Sequence, residues 1–73
     1  MTIEKNQTTF IFQEDKGITV VPVDAALFIA NDSSDTVNVR LKASRKNILT
    51  FNYQSVTNYT ASSAVDFVNK IIA

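Results

Sequence analysis

From Thr36 onward the chain alternates cleanly. Val37, Val39, Leu41 and Ala43 fall on one side, and Thr36, Asn38, Arg40 and Lys42 on the other. That period of two is the mark of a half-buried strand. A polar turn, Ser44 to Asn47, follows, and ILTFNYQSV repeats the alternation with Leu49, Phe51 and Tyr53 on the inward side. The two runs predict a hairpin. Upstream, TTFIFQ sets Phe10 and Phe12 on one face, EDKG follows, and ITVVPV resumes as a strand. Gly17 is the single glycine of the chain, and the pattern assigns it the positive φ of a tight turn. Pro22 has no N–H for a ladder, so it ends its strand or lies on an edge. AALFIA is a further apolar run in which both phases are apolar, and Asn31 to Asp35 form the loop after it.

The tail has a different period. Ala61, Ala64 or Val65, Val68, Ile71 and Ile72 recur at spacings of three and four, and Phe67 widens the stripe. Thr60 or Ser62 can cap such a helix with a hydroxyl. Asp66 early and Lys70 late suit the helix dipole. A helix of about 13 residues is marginal alone in water, so it must dock on the strands. The predicted fold is α+β: an antiparallel five-strand β-meander with one C-terminal α-helix packed on one face, as a single domain over 1–73. Phe10, Phe12, Leu27, Ile29, Val39, Leu41, Leu49, Phe51 and Val68 are its expected core. Ile11, Phe28 and Ile48 fall out of phase and are expected to point away from the helix. Clustered there, they would make a partner-binding patch.

Length and composition limit what this fold can do. A chain of 73 residues buries only roughly 60% of the surface its unfolded form exposes. It has no cysteine and no histidine. Disulfides are therefore out, as are the usual zinc and copper sites. Contacts with other protein chains remain as a source of extra stability. Seven basic residues balance seven acidic ones, so no global field draws the chain to nucleic acid or an anionic membrane. No apolar run approaches the ~18 residues that cross a bilayer. The start, MTIEKNQTTFIF, carries Glu4 and no long apolar core, so it is not expected to be a signal peptide. Synthesis in a cytoplasm is the expectation. Asn, Ser and Thr occur 7, 6 and 8 times, and create glycosylation sequons at Asn6, Asn31 and Asn58 by composition alone. So polar and weakly charged a mixture is common on surfaces that pack against other protein copies.

The chemistry on offer is sparse. Triads and thiol nucleophiles need residues the chain lacks, and the expectation is no enzyme, no cofactor and no small-molecule substrate. Glu14 and Asp15 are adjacent in one turn, where acids ordinarily bond backbone amides. Asn31, Asp32 and Asp35 offer oxygens a calcium ion could use, without the EF-hand spacing or its bidentate Glu. Arg40, Lys42, Arg45 and Lys46 are the one charge cluster. They read as a solvated strand face, as a contact for an acidic patch on a partner chain, or, beside Tyr53 or Tyr59, as a small nucleic-acid surface. With zero net charge, nucleic acid is the least expected of the three.

The stretch ILTFNYQSVT, a short polar segment and then TASSAVDFVNKIIA resembles the tail of small auxiliary structural proteins of bacteriophage virions, especially those of phages of Bacteroidetes hosts. The matching positions are Thr60, Ala61, Ser62, Ser63, Ala64, Val65, Val68, Asn69 and Ile71. The resemblance implies a structural or interaction role in a capsid, neck or fibre, without catalysis, and carries over no individual site. The expected partners are copies of the chain itself or a larger shell protein, through the patch of Ile11, Phe28 and Ile48 and the basic group. The expected place is the virion, after synthesis in the host cytoplasm. The alternative is a cytoplasmic protein-binding module, a regulator or inhibitor.

Overall fold

A computed structural model describes all residues, Met1–Ala73. The class is α+β, but the strands do not form one meander. Six strands make two three-stranded antiparallel sheets. The first holds β1 (Thr2–Lys5), β2 (Thr9–Glu14) and β3 (Gly17–Pro22), with β2 central. The second holds β4 (Ala26–Asn31), β5 (Thr36–Leu41) and β6 (Asn47–Asn52), with β5 central. A short 3-10 turn, Val23–Ala25, carries the chain between them. Pro22 ends β3 on an edge, and the chain then leaves the sheet instead of pairing β3 with β4. A further 3-10 turn, Tyr53–Ser55, precedes the helix α1, Ala64–Ile72.

The sheets meet through aromatic rings. Phe10 and Phe12 of β2 lie 5.0 and 6.3 Å from Phe28 of β4. Phe51 of β6 lies 6.2 Å from Phe12 and 5.8 Å from Phe67 of α1. The inner face of the second sheet is thus shared between the first sheet and the helix. The helix covers part of that face, packing on β4 and β5. One core of buried apolar residues results, with no buried polar residue in it.

Register decides which expected core residues go inside. Directly opposed residues of an antiparallel pair share a face. Phe28 opposes the fully buried Val39, so Ala26, Phe28 and Ala30 point inward. Leu27 and Ile29 oppose Arg40 and Asn38 on the outer face, where they are half-buried. The alternation of AALFIA therefore runs in the phase opposite to the expected one. Leu41 is half-buried and Ala43 exposed, because β5 ends at Leu41.

The helix is shorter than its apolar stripe suggests. Ser63 caps it, its hydroxyl accepting the Asp66 N–H at 3.0 Å. The Asp66 carboxylate returns the bond, accepting the Ser62 N–H at 2.9 Å. The first bond satisfies a free amide of the helix start, and the second ties down the residue just before the cap, a capping box displaced by one residue. Ala64, Phe67 and Ile71 are buried, whereas Val65 and Ile72 are 46% and 50% exposed. Phe67 therefore lies at the centre of the buried stripe. Gly17 has no positive φ. It pairs with Glu14 as the last rung of its hairpin, and Asp15 and Lys16 make the turn. The left-handed positions are Asp35 and Arg45, at φ 57° and 58°.

Candidate interaction surface

The three out-of-phase apolar residues do not form a patch. Phe28 is turned into the core against Phe10. Ile48 is the extra residue of a β-bulge: Val39 opposes Leu49, but Arg40 opposes Asn47. It is half-buried against the core. Ile11 alone faces outward, half-buried in the middle of the first sheet. Its neighbours there went unnoticed in the sequence. Ile11 opposes Val20, and Gln13 opposes Ile18. Val20 and Ile18 are 57% and 61% exposed, the two most exposed large apolar side chains of the chain. The signal was present: with Phe10, Phe12 and Val21 inward, the opposite phase of β2 and β3 holds Ile11, Ile18 and Val20.

The backbone beside this face is also open. β1 and β3 are the edges of the first sheet. The β1 edge is sealed from far along the chain. Asn58 accepts the Ile3 N–H at 3.1 Å and donates its amide to the Ile3 C=O at 2.8 Å. Thr57 N–H bonds the Met1 C=O at 2.9 Å. One asparagine side chain thus takes the place of a neighbouring strand. Ile3 points to that side, so Thr2 and Glu4 bond to Gln13 and Ile11 of β2. Alternate residues of a central strand bond to opposite neighbours. Phe10, Phe12 and Glu14 therefore bond to Val21, Thr19 and Gly17 of β3. The Val23 N–H to Thr8 C=O bond, 2.9 Å, continues the same series. What remains is Ile18, Val20 and Pro22, whose backbone groups face away from β2. The N–H groups of Ile18 and Val20 have no partner in the chain.

The basic group lies on the other sheet. Arg40 is half-buried near the end of β5, opposite Leu27 and Asn47. Its Nε is buried and makes no hydrogen bond. Lys42, Arg45 and Lys46 are exposed around the β5–β6 turn. None of the four makes an ion pair, the one salt bridge of the chain being Lys70 to Asp66 at 3.3 Å. The tyrosines are not beside them. Tyr53 and Tyr59 pack on Phe67, at 6.3 and 5.8 Å. β6 separates Tyr53 from the basic turn by six residues, about 20 Å of strand. The stacking platform expected of a nucleic-acid surface is not assembled.

Asp32 and the sequon asparagines serve the fold, whereas the Glu14 and Asp15 carboxylates accept no hydrogen bond. Asp32 accepts the Val65 N–H at 3.0 Å, tying the β4–β5 loop to the helix start. Asn31 accepts the backbone and hydroxyl of Ser33 at 3.1 and 2.7 Å. Asp35 takes the left-handed conformation and gives its C=O to Tyr53 N–H. No three carboxylates converge. Asn6 accepts the backbone and hydroxyl groups of both Thr8 and Thr9 in the β1–β2 turn. Glu14, Asp15 and Lys16 border a hollow of about 400 Å³ with Met1, Phe51 and Ser55. A second, more apolar cleft of about 340 Å³ lies between Phe10, Phe28, Val68 and Ile72, with Lys5 and Lys42 at its rim. The Lys5 ammonium bonds the C=O groups of Ile72 and Ala73 at 3.2 and 3.4 Å. No helix is long and apolar enough to cross a membrane.

The β3 edge thus leaves the Ile18 and Val20 N–H groups open, beside the two most exposed large apolar side chains of the chain. Compared with protein-family models, with curated proteins and with solved structures, the chain matches none.

Proposed function

We propose that this chain is a non-enzymatic assembly protein that holds other protein surfaces, copies of itself or a larger shell protein, in a phage virion. The observation that carries the protein-binding part is the uncovered outer face of the first sheet. Ile11, Val20 and Ile18 lie there beside backbone N–H groups with no partner. Strand edges of this kind are where extended segments of other chains add on. The virion setting rests on the likeness of the tail to auxiliary phage proteins. Its Ser/Ala segment is here a working helix cap built on Ser63 and Asp66.

The test is quantitative mass spectrometry of purified particles from the source of this chain. A fixed copy number per particle is the expected result, together with its loss in the Ile18→Lys, Val20→Lys double variant. A chain absent from particles that stays a monomer with no protein partner overturns the proposal.

A second reading has its own observation. Arg40, Lys42, Arg45 and Lys46 sit around one hairpin with no carboxylate bound. They suit an acidic patch on a partner protein, the mode expected of a small cytoplasmic regulator or inhibitor. Replacing Arg45 and Lys46 with Glu then abolishes binding, while the edge double variant leaves it intact.

A further inference from the structure

The assembly reading leaves the occupant of the β3 edge open. Resting on that reading, we infer that the edge pairs antiparallel with β3 of a second copy, about a two-fold axis through Thr19.

The length and register of the open edge define the fit. The outward donors are Ile18 and Val20, and Pro22 brings none. At the other end the turn begins at Lys16. The open stretch is therefore centred on Thr19. In an antiparallel pair about that centre, Ile18 lies opposite the partner's Val20, and Val20 opposite the partner's Ile18. Both are hydrogen-bonded pairs, so each exchanges two bonds. All four free N–H groups of the two copies find acceptors. In the register centred on Val20, Ile18 faces Pro22, whose C=O accepts but which has no N–H to donate back, and in the one centred on Ile18, Val20 faces the turn at Lys16.

The side chains match in the same register. On the outer face the rows read Ile11, Val20, then the partner's Ile18, and the reverse on the other side of the axis. Aliphatic cross-strand neighbours replace water at the two most exposed apolar residues of the chain. The strand itself, GITVVP, has no charge, so two copies meet without like-charge repulsion. Natural edges are commonly defended by lysine, an inward charge or a covering segment. In this chain the β1 edge has such a cover in Asn58, whereas β3 has none. The contact is isologous, as a two-fold dimer requires. It is also small. Two free residues per strand bury less than the ~1,200–2,000 Å² of a standard interface. The dimer is therefore concentration-dependent, with a dissociation constant on the order of 100 μM. Such a weak contact is reinforced by repetition in a larger assembly.

The experiment uses the full chain. Sedimentation over about 10 μM to about 1 mM brackets a contact of this strength. The expected result is a reversible monomer–dimer equilibrium, weakened at least about tenfold by the Ile18→Lys, Val20→Lys double variant. Register is read by a single cysteine. Thr19 meets its own copy as a non-hydrogen-bonded pair, with Cα atoms about 4.5 Å apart, within disulfide range. The chain has no other cysteine. Thr19→Cys is expected to oxidise to a covalent dimer, whereas Gln13→Cys on the same sheet stays reduced. Amide exchange supplies a check that needs no substitution: the Ile18 and Val20 amides gain protection as concentration rises. A monomer at all concentrations, unprotected amides and no Thr19→Cys dimer overturn the self-pairing. The assembly reading is judged apart from this, by whether the edge double variant leaves purified particles. If it does so while the chain never self-associates, the edge holds a strand of another protein.

Discussion

Asn58→Ala removes the side chain that seals the first sheet, and its cost can be worked from the structure. Two bonds disappear, the Ile3 N–H to Asn58 Oδ1 at 3.1 Å and the Asn58 Nδ2 to Ile3 C=O at 2.8 Å. Both are partly buried. The contact of Nδ2 with Glu4 Oε1, at 3.5 Å, is exposed and adds little. Alanine leaves one backbone donor and one acceptor without partners, at a cost of about 1–3 kcal/mol for a buried group. Partial access of water lowers that, so the expected loss is about 2–3 kcal/mol for the pair. A chain of this length has a total stability of roughly 4–11 kcal/mol. In a thermal melt the loss lowers Tm by roughly 10–20 °C. In urea it lowers the midpoint with the slope unchanged. Amide exchange at Ile3 should rise far more than at the central strand β2. A loss under about 0.5 kcal/mol would refute the claim that this side chain stands in for a strand. Asn58→Asp separates donor from acceptor. It keeps an oxygen for the Ile3 N–H but loses the donor, and sets a carboxylate against the Ile3 C=O and Glu4. Asn58→Asp should therefore also lower Tm, because the Ile3 C=O loses its donor.

Gly17→Ala should raise stability by about 0.4–1 kcal/mol, because the conformation is open to alanine and the unfolded chain loses freedom. A Cβ there meets nothing within 4 Å and φ is not positive, so a lower Tm would show the turn to be misread. Asp66 is held below the ordinary carboxylate value, first by the Ser62 N–H, which outweighs the opposing effect of desolvation, and then by Lys70. Its contribution is thus present above the unfolded value and lost as pH falls through the folded one. In Asp66→Asn the fall of Tm between pH 6 and strong acid should shrink, and an unchanged fall would remove Asp66 as its source. Arg45 holds φ at 58°, a conformation costing an ordinary L-residue about 1–2 kcal/mol. Arg45→Gly should gain up to about 1 kcal/mol after the entropy glycine loses; a lower urea midpoint would show that the arginine side chain repays the strain.

The sequence was most legible where one face is apolar and the other polar. Val37, Val39 and Phe51 fell inside as their alternation demands, as did Phe10 and Phe12. Asp66 and Lys70 lie at the two ends of the helix where the dipole favours them. Legibility failed where local pattern is silent. AALFIA is apolar in both phases, so only its register with Val39 could settle that Phe28 goes in and Leu27 out. β1 has a single buried residue, Ile3, and its outer edge is held by Asn58 across 55 positions. No window of the sequence contains that pair. The split into two sheets has the same origin. Pro22 announced an edge, but not that the chain would turn at Val23–Ala25 and start a new sheet facing the old one. Of the expected site, Arg45 and Lys46 lie on the β5–β6 turn, Lys42 falls just past the end of β5, and Ile11 faces outward, whereas Phe28 was turned inward by the phase error and Ile48 by the bulge.

The two edges of the first sheet carry the functional argument furthest. They have the same need, since each presents unpaired backbone groups that water must serve. One is closed by a device with a visible cost: Asn58 gives up its conformational freedom and its hydration to fix Ile3. The other edge carries the chain's two most exposed large apolar residues and no charge. A single lysine at Val20 would have defended it without touching the core, because that side chain faces outward. An undefended edge is a standing aggregation risk unless pairing ends after a fixed number of copies. Pro22 and the turn at Lys16 impose that end, limiting the open ladder to two residues. A strand so short cannot propagate a sheet, but it can join two copies, or one copy to one strand of a shell protein. The edge is open enough to pair and short enough to stop.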